Sequence, residues 1–178
     1  MRATGIVRRI DSLGRIVIPK EIRRTMQIRE GDSLEIYVES AGDIILRKYS
    51  TIDELAKYAE NYANLLFKIV NVPVIILDRE RVVAISNNST KTDVVGKPVS
   101  GEFDRLMQKR KTYVATTDSV LYPIQNVSFK ALVCVPIISY GDLIGSVILV
   151  DEEGKTPTET QIKLAQFVAN LFGEQTTE

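Results

Sequence analysis

Between residues 4 and 50, apolar and polar positions alternate in short blocks whose period is that of strands. Residues 4–10 and Arg15–Ile18 read as two strands rich in β-branched side chains, with Asp11–Gly14 turning between them. Pro19 fits the first position of a helix, where its missing N–H costs nothing, and the helix is expected from Lys20 to Met26. Ile22 and Met26 fall on one face of it, and Lys20, Arg23, Arg24 and Gln27 form a basic and polar stripe on another. After a turn at Glu30–Asp32, Leu34–Val38 alternates as a half-buried strand, and Ser40–Asp43 turns it into Ile44–Lys48. Four short strands and one short helix in about 50 residues bury too little surface to be stable alone and leave sheet edges open. A dimer sharing one core would answer both difficulties.

Thr51 and Glu54 have the spacing of a capping box for a helix that reaches Val70. Its residues Ile52, Leu55, Ala59, Tyr62, Leu66 and Ile69 form a short heptad seam. Such a seam serves either a helix packed on its own domain or one paired with its mate in a dimer. Asn71–Pro73 ends the helix. The remainder reads as one α/β domain, with strands at Val74–Asp78, Arg81–Ser86, Thr112–Thr116, Lys130–Ile138 and Leu143–Asp151. A helix is expected over Gly101–Arg110 and a loop over residues 117–128. Thr156 and Pro157 open a final helix with a broad apolar face of Ile162, Ala165, Phe167, Val168, Leu171 and Phe172.

Composition narrows the chemistry. Of 178 residues, 44% are apolar and 26% charged, as in a globular protein. Histidine is absent and Cys134 is the single cysteine, so a Ser-His-Asp triad, a Cys-His pair, a His-ligated zinc and a disulfide framework are excluded within one chain. No glycine-rich phosphate loop occurs. The longest apolar runs fall far short of the ~20 residues of a membrane span, and the first residues lack the apolar stretch of a signal peptide. The chain is therefore expected in the cytoplasm, with no membrane partner.

The formal net charge of zero conceals a gradient. Residues 1–29 carry eight bases against two acids, a net charge of +6, and seven of those bases are arginine. Residues 30–46 carry five acids and no base, and residues 51–178 are mildly acidic. Arginine suits bidentate recognition of phosphates and guanine edges, so the basic segment points to a polyanion, against the simpler reading of a solvated basic surface.

The stretch Thr4–Thr25 resembles the signature of the AbrB family of swapped-hairpin DNA-binding domains. The strand, the Leu13-Gly14-Arg15 turn, the Val17-Ile18-Pro19 step and the Arg23-Arg24 pair recur in order, and the likeness continues through Leu34–Val38 and Ile44–Tyr49. It covers residues 1–50. The second half is similar to a GAF domain, through its paired strands, helix and loop, the hairpin of Val135–Val147 and the terminal helix. The combination resembles a regulator of endospore development. These resemblances imply an N-terminal all-β swapped-hairpin barrel with a short helix, formed by an intertwined dimer over residues 1–50. They imply a linking amphipathic helix at 51–70 and an α/β GAF-like domain at 71–178, with an antiparallel sheet and flanking helices. They also imply double-stranded DNA as partner, a homodimer that assembles further into a dimer of dimers, and Arg8, Arg15, Arg23 and Arg24 as DNA contacts. Arg9 stands where relatives also carry a base, and Lys20 completes the candidate set.

On strand parity Arg8 sides with Ile6 and Ile10, and faces outward only at a strand end or a twist. The competing expectation is that Arg8 or Arg15 pairs with the acids of residues 30–43. Readout is expected to weigh DNA shape over base contacts, because the arginines are few and the helix is short. No resident cofactor or metal is expected. By analogy the GAF-like domain either senses an unknown small-molecule effector, bordered by the helix 101–110 and the loop 117–128, or serves only to assemble subunits.

Weaker signals each have a plain reading. Cys134 sits in the apolar run Ala131–Ile138 and is expected to be a buried, inert thiol rather than a sensor. Asp151, Glu152 and Glu153 suit a solvated loop better than paired acid-base catalysis. Lys109–Lys111 lies at a helix end, where cations complement the dipole, with a second nucleic-acid contact as the alternative. A DNA-binding transcriptional regulator that is not an enzyme accounts for most of these features. Its rivals are an antitoxin-like swapped-hairpin protein that binds a toxin, and a carboxylate enzyme in the second half.

Overall fold

A computed structural model describes residues 5–26, 28–40, 42–49, 56–86, 93–151, 154 and 156–175. The predicted capping box at Thr51 and Glu54 lies outside the described residues, as do the seam positions Ile52 and Leu55, and Thr4, Gln27, Ala41, Glu152 and Glu153. The chain divides into two compact units, Met1–Tyr49 and Ser50–Glu178.

The N-terminal unit holds α1 (Lys20–Thr25) and an antiparallel hairpin of β1 (Leu34–Val38) and β2 (Ile44–Lys48), in register from Leu34 opposite Lys48 to Val38 opposite Ile44. The Glu39 N–H donates to the Asp43 carbonyl at 3.0 Å and closes the hairpin end. The strands expected at 4–10 and 15–18 are not formed among the described residues. Their β-branched side chains suit a strand, but a strand also needs a neighbouring backbone to receive its N–H groups. Residues 5–10 make no ladder among the described residues. The consequence is exposure: Val7 is 84% and Val17 71% accessible, and Pro19 is the one buried residue among those described from 5 to 49.

The C-terminal unit is a five-stranded antiparallel sheet with helices on both faces. Its strands are β3 (Val74–Asp78), β4 (Val82–Ile85), β5 (Tyr113–Val114), β6 (Lys130–Ser139) and β7 (Asp142–Asp151), in the order β4-β3-β7-β6-β5. The helices are α2 (Ala56–Val70), α3 (Gly101–Met107) and α4 (Glu159–Gln175). Because both faces are covered, β3 is an unbroken apolar run rather than an alternating one. Val74 and Ile76 enter the core under α2 and α4, with Ala63, Leu66, Ala169 and Phe172. Ile75 and Leu77 enter a second core, closed by Phe103 and Met107 of α3 and by Leu121 and Ile124 of the loop. The loop expected at 117–128 is irregular, as its composition suggests. β5 is shorter than the strand expected at Thr112–Thr116, and α3 stops at Met107 because the chain turns, with Arg110 at a φ of 54°.

The seam on α2 divides. Ala59 and Leu66 are buried and Tyr62 meets Phe172 edge-on at 5.2 Å, which is packing within the chain's own unit. Ile69 instead is 66% exposed, and Val70 takes the inward place. A straight helix at 3.6 residues per turn drifts from a 3.5-residue seam, so the buried line becomes Ala59, Ala63, Leu66 and Val70. Similarly, Phe167 on α4 points outward at 62% exposure, while Ala165, Val168 and Phe172 face the sheet. Both ends of α4 are tied to α2. Gln161 Nε2 donates to the Val70 carbonyl at 3.1 Å, and Gln175 Nε2 to the Tyr62 hydroxyl at 2.9 Å. Gln161 and Thr158 also form the reciprocal capping box that starts α4.

Candidate nucleic-acid interface

The candidate bases lie on three consecutive pieces of the N-terminal unit. Arg8 and Arg9 are exposed on the segment before the turn. Arg8 Nη1 donates to the Val7 carbonyl at 3.0 Å. As residues 5–10 form no ladder among the described residues, strand parity does not direct its side chain inward.

The turn is built by Asp11. Its Oδ1 accepts the N–H groups of Leu13 at 2.9 Å and Arg15 at 2.8 Å, and the Asp11 N–H donates to the Arg15 carbonyl at 3.0 Å. Gly14, at a φ of +76°, makes the left-handed step that a side chain would strain. The second carboxylate oxygen, Oδ2, accepts from Arg15 Nε at 2.8 Å. The expected acidic partners at 30–43 are therefore not those of Arg15; its partner is local. The Arg15 backbone N–H first, then its guanidinium, hold the Asp11 carboxyl below its ordinary pKa. The pair accordingly persists at neutral pH and is lost only as pH falls through that lowered value. The Arg15 side chain stays 70% exposed. Asp11 is the residue that reading by composition missed. The Asp-x-Leu-Gly pattern of a side-chain-capped turn was the available signal.

Lys20, Arg23 and Arg24 are carried by α1. Pro19 stands at its N-cap, one position earlier than expected, with a φ of −58° suited to the first turn. Glu21 in the first turn and Arg23 and Arg24 in the last complement the helix dipole. The helix buries none of its residues, so its bases stand clear at solvent. Among the described residues, no acid pairs with Arg8, Arg9, Lys20, Arg23 or Arg24. A phosphate meeting these groups would therefore displace no carboxylate among the described residues.

Two other polar groups singled out by sequence have structural roles. Arg110 pairs with Asp142 at 3.6 Å, and Asp151 Oδ1 accepts the Gly154 N–H at 2.7 Å as a turn cap. Among the described residues, no cluster of metal-ligating side chains occurs and no helix is long and apolar enough to cross a membrane. Cys134 is fully buried, and burial pushes its thiol pKa well above the ordinary value. A thiol-specific reagent is expected to leave Cys134 unmodified in the native protein and to label it at the rate of unfolding. Labelling followed across a denaturant series checks this.

Comparison with known proteins agrees with this division. Residues 54–177 match the family described as stage V sporulation protein T C-terminal, transcription factor, and residues 7–53 match the antidote-toxin recognition family MazE, bacterial antitoxin. The chain is 40% identical over 177 residues to stage V sporulation protein T of Bacillus subtilis (strain 168), covering 98% of each. It is 61% identical over 49 residues to the transition state regulatory protein AbrB of the same organism, covering 28% of this chain and 50% of that one. The GAF domain of an Acinetobacter phosphoenolpyruvate-protein phosphotransferase superposes with a TM-score of 0.54 at 9% identity, over 72% of this chain and 83% of that one, which identifies a GAF fold. With an AbrB-like DNA-binding segment ahead of a GAF-like domain, the chain belongs to the stage V sporulation protein T family of transcription factors.

Proposed function

We propose that two N-terminal units interleave into one DNA-binding body, which meets the duplex through Arg8, Arg9, Arg15, Lys20, Arg23 and Arg24 of both chains. The protein regulates sporulation genes in the cytoplasm, at the nucleoid, by equilibrium occupancy of its sites and without a catalytic step. One observation carries this reading: residues 5–49 expose their apolar side chains and their bases together. Apolar segments such as Val7 and Val17 find a core when a second chain supplies strands beside them. The bases then remain outside, doubled by symmetry. Residues 51–178 assemble these dimers into a dimer of dimers. Tyr58, Leu65 and Ile69 recur along α2 at intervals of seven and four, exposed, and Phe167 is exposed on α4. Phe103, Met107, Leu121 and Ile124 are buried together under α3 and the loop, the region that would border a small-molecule effector.

The test is binding of the purified protein to promoter and mixed-sequence duplexes between about 50 and about 200 mM salt, beside its oligomeric state by sedimentation. The expected result is an assembly larger than a monomer whose affinity falls steeply with salt, by about 0.9 log units per tenfold salt for each phosphate neutralised. No binding at low salt by folded, dimeric protein would overturn it. The antidote match over residues 7–53 then favours the second reading, a protein that binds a toxin.

A further inference from the structure

Arg15 differs from the other candidate bases in having a fixed acidic partner. An exposed ion pair of this kind adds little to stability. Its consequence lies elsewhere. Both Asp11 oxygens are engaged within the turn, Oδ1 by two backbone N–H groups and Oδ2 by Arg15 Nε, so the carboxylate cannot swing away. It grips the guanidinium at Nε. That grip leaves the terminal Nη1 and Nη2 groups, the fork that matches the two acceptors on the major-groove edge of guanine. It also places a negative charge beside the guanidinium, which weakens any contact made to phosphate alone.

We propose that Asp11 is a positioning residue that sets sequence discrimination at this interface, by presenting Arg15 to a base edge and penalising phosphate-only binding. This rests on Arg15 being a DNA contact. Two effects of opposite sign follow. On the preferred duplex, a pre-oriented Arg15 loses less rotamer freedom on binding. On any other duplex, the Asp11 charge repels the backbone without compensation.

Asp11→Asn separates these effects from a turn-building role. Asparagine keeps the Oδ1 acceptor for the Leu13 and Arg15 N–H groups and removes the charge that holds Nε. Two probes are used: the duplex that wild-type protein enriches from a randomised pool, and an alternating dA-dT duplex, whose adenines show an N6 donor beside N7 in place of the paired O6 and N7 acceptors. The expected result for Asp11→Asn, with unchanged fold and oligomeric state, is about fivefold weaker binding to the enriched duplex, since part of the rotamer entropy of arginine must then be lost on binding. Binding to the dA-dT duplex strengthens severalfold, with a salt slope steeper by up to about 0.9 for each added net charge engaged. On an Arg15→Ala background, Asp11→Asn no longer weakens binding to the enriched duplex.

Unchanged binding to both probes, or a parallel fall or rise on both, overturns the proposal. So does a pool that fails to converge under wild-type protein. Arg15→Ala alone distinguishes the levels. If it leaves binding to the enriched duplex intact, the reading of Arg15 as a contact fails. If it weakens that binding while Asp11→Asn moves both probes together, only the role of Asp11 fails.

Discussion

Replacing Arg23 and Arg24 together by alanine is expected to remove most of the DNA affinity while leaving the protein folded and associated. The fold should tolerate the change because α1 buries none of its residues and neither guanidinium has an acidic partner among those described. Alanine is at least as good a helix former as arginine, and losing two cations from the last turn costs only a few tenths of a kcal/mol. In a dimer the double substitution deletes four charges from the duplex-facing surface. At about 0.9 per phosphate, the slope of log affinity against log salt should flatten by roughly 3 to 4. Affinity at moderate salt should fall by roughly two to three orders of magnitude. The slope is the more discriminating readout, because a misfolded fraction lowers the amplitude of binding but does not change its salt dependence. An unchanged slope in a folded dimer would place the DNA elsewhere.

What was legible in the chain depended on whether an element completes itself. β3 could be read from Val74–Leu77 because burial on both faces produces an unbroken apolar run. The β1–β2 hairpin could be read because its turn and both strands are consecutive. Residues 5–10 and 15–18 have the same β-branched character, yet form no strand among the described residues, because composition records a preference and not the neighbour that satisfies it. Charge marks residues 1–29 as basic, and the resemblance to the AbrB family singles out six of their eight bases as candidates. The distinct place of Arg15 within that set follows from the turn pattern Asp11-x-Leu13-Gly14 and not from charge, since the Asp11–Arg15 contact arises from a left-handed step at Gly14 and not from helical i, i+4 spacing. On α2 and α4 the apolar faces are broader than the sheet can cover. Periodicity marks Ile69 and Phe167 as face residues, but only the packing of Val70 and Phe172 decides which are left outside.

Substituting Gly173 is expected to destabilise the GAF-like domain, against the direction that helix propensity predicts. Glycine inside a helix costs about 1 kcal/mol relative to alanine, so Gly173→Ala in open space would stabilise α4. Gly173 is instead buried where α4 crosses β6, and a Cβ there would stand 2.2 Å from the Ile138 carbonyl oxygen and 3.2 Å from its carbon. Both are backbone atoms. No side chain can rotate to make room, so α4 must move off the sheet and loosen the packing of Phe172 and Ala169. Overpacking of this kind costs about 1–3 kcal/mol or more, which outweighs the propensity gain. We expect Gly173→Ala to lower Tm by about 5–10 °C, at about 3–5 °C per kcal/mol for a domain of this size, and Gly173→Val to lower it further. Asn170→Ala, on the exposed side of the same helix, should instead leave Tm unchanged or raise it slightly. Thermal unfolding of the three variants reads the contrast directly. Equal, small upward shifts for Gly173→Ala and Asn170→Ala would mean that α4 and β6 are not in backbone contact at this crossing.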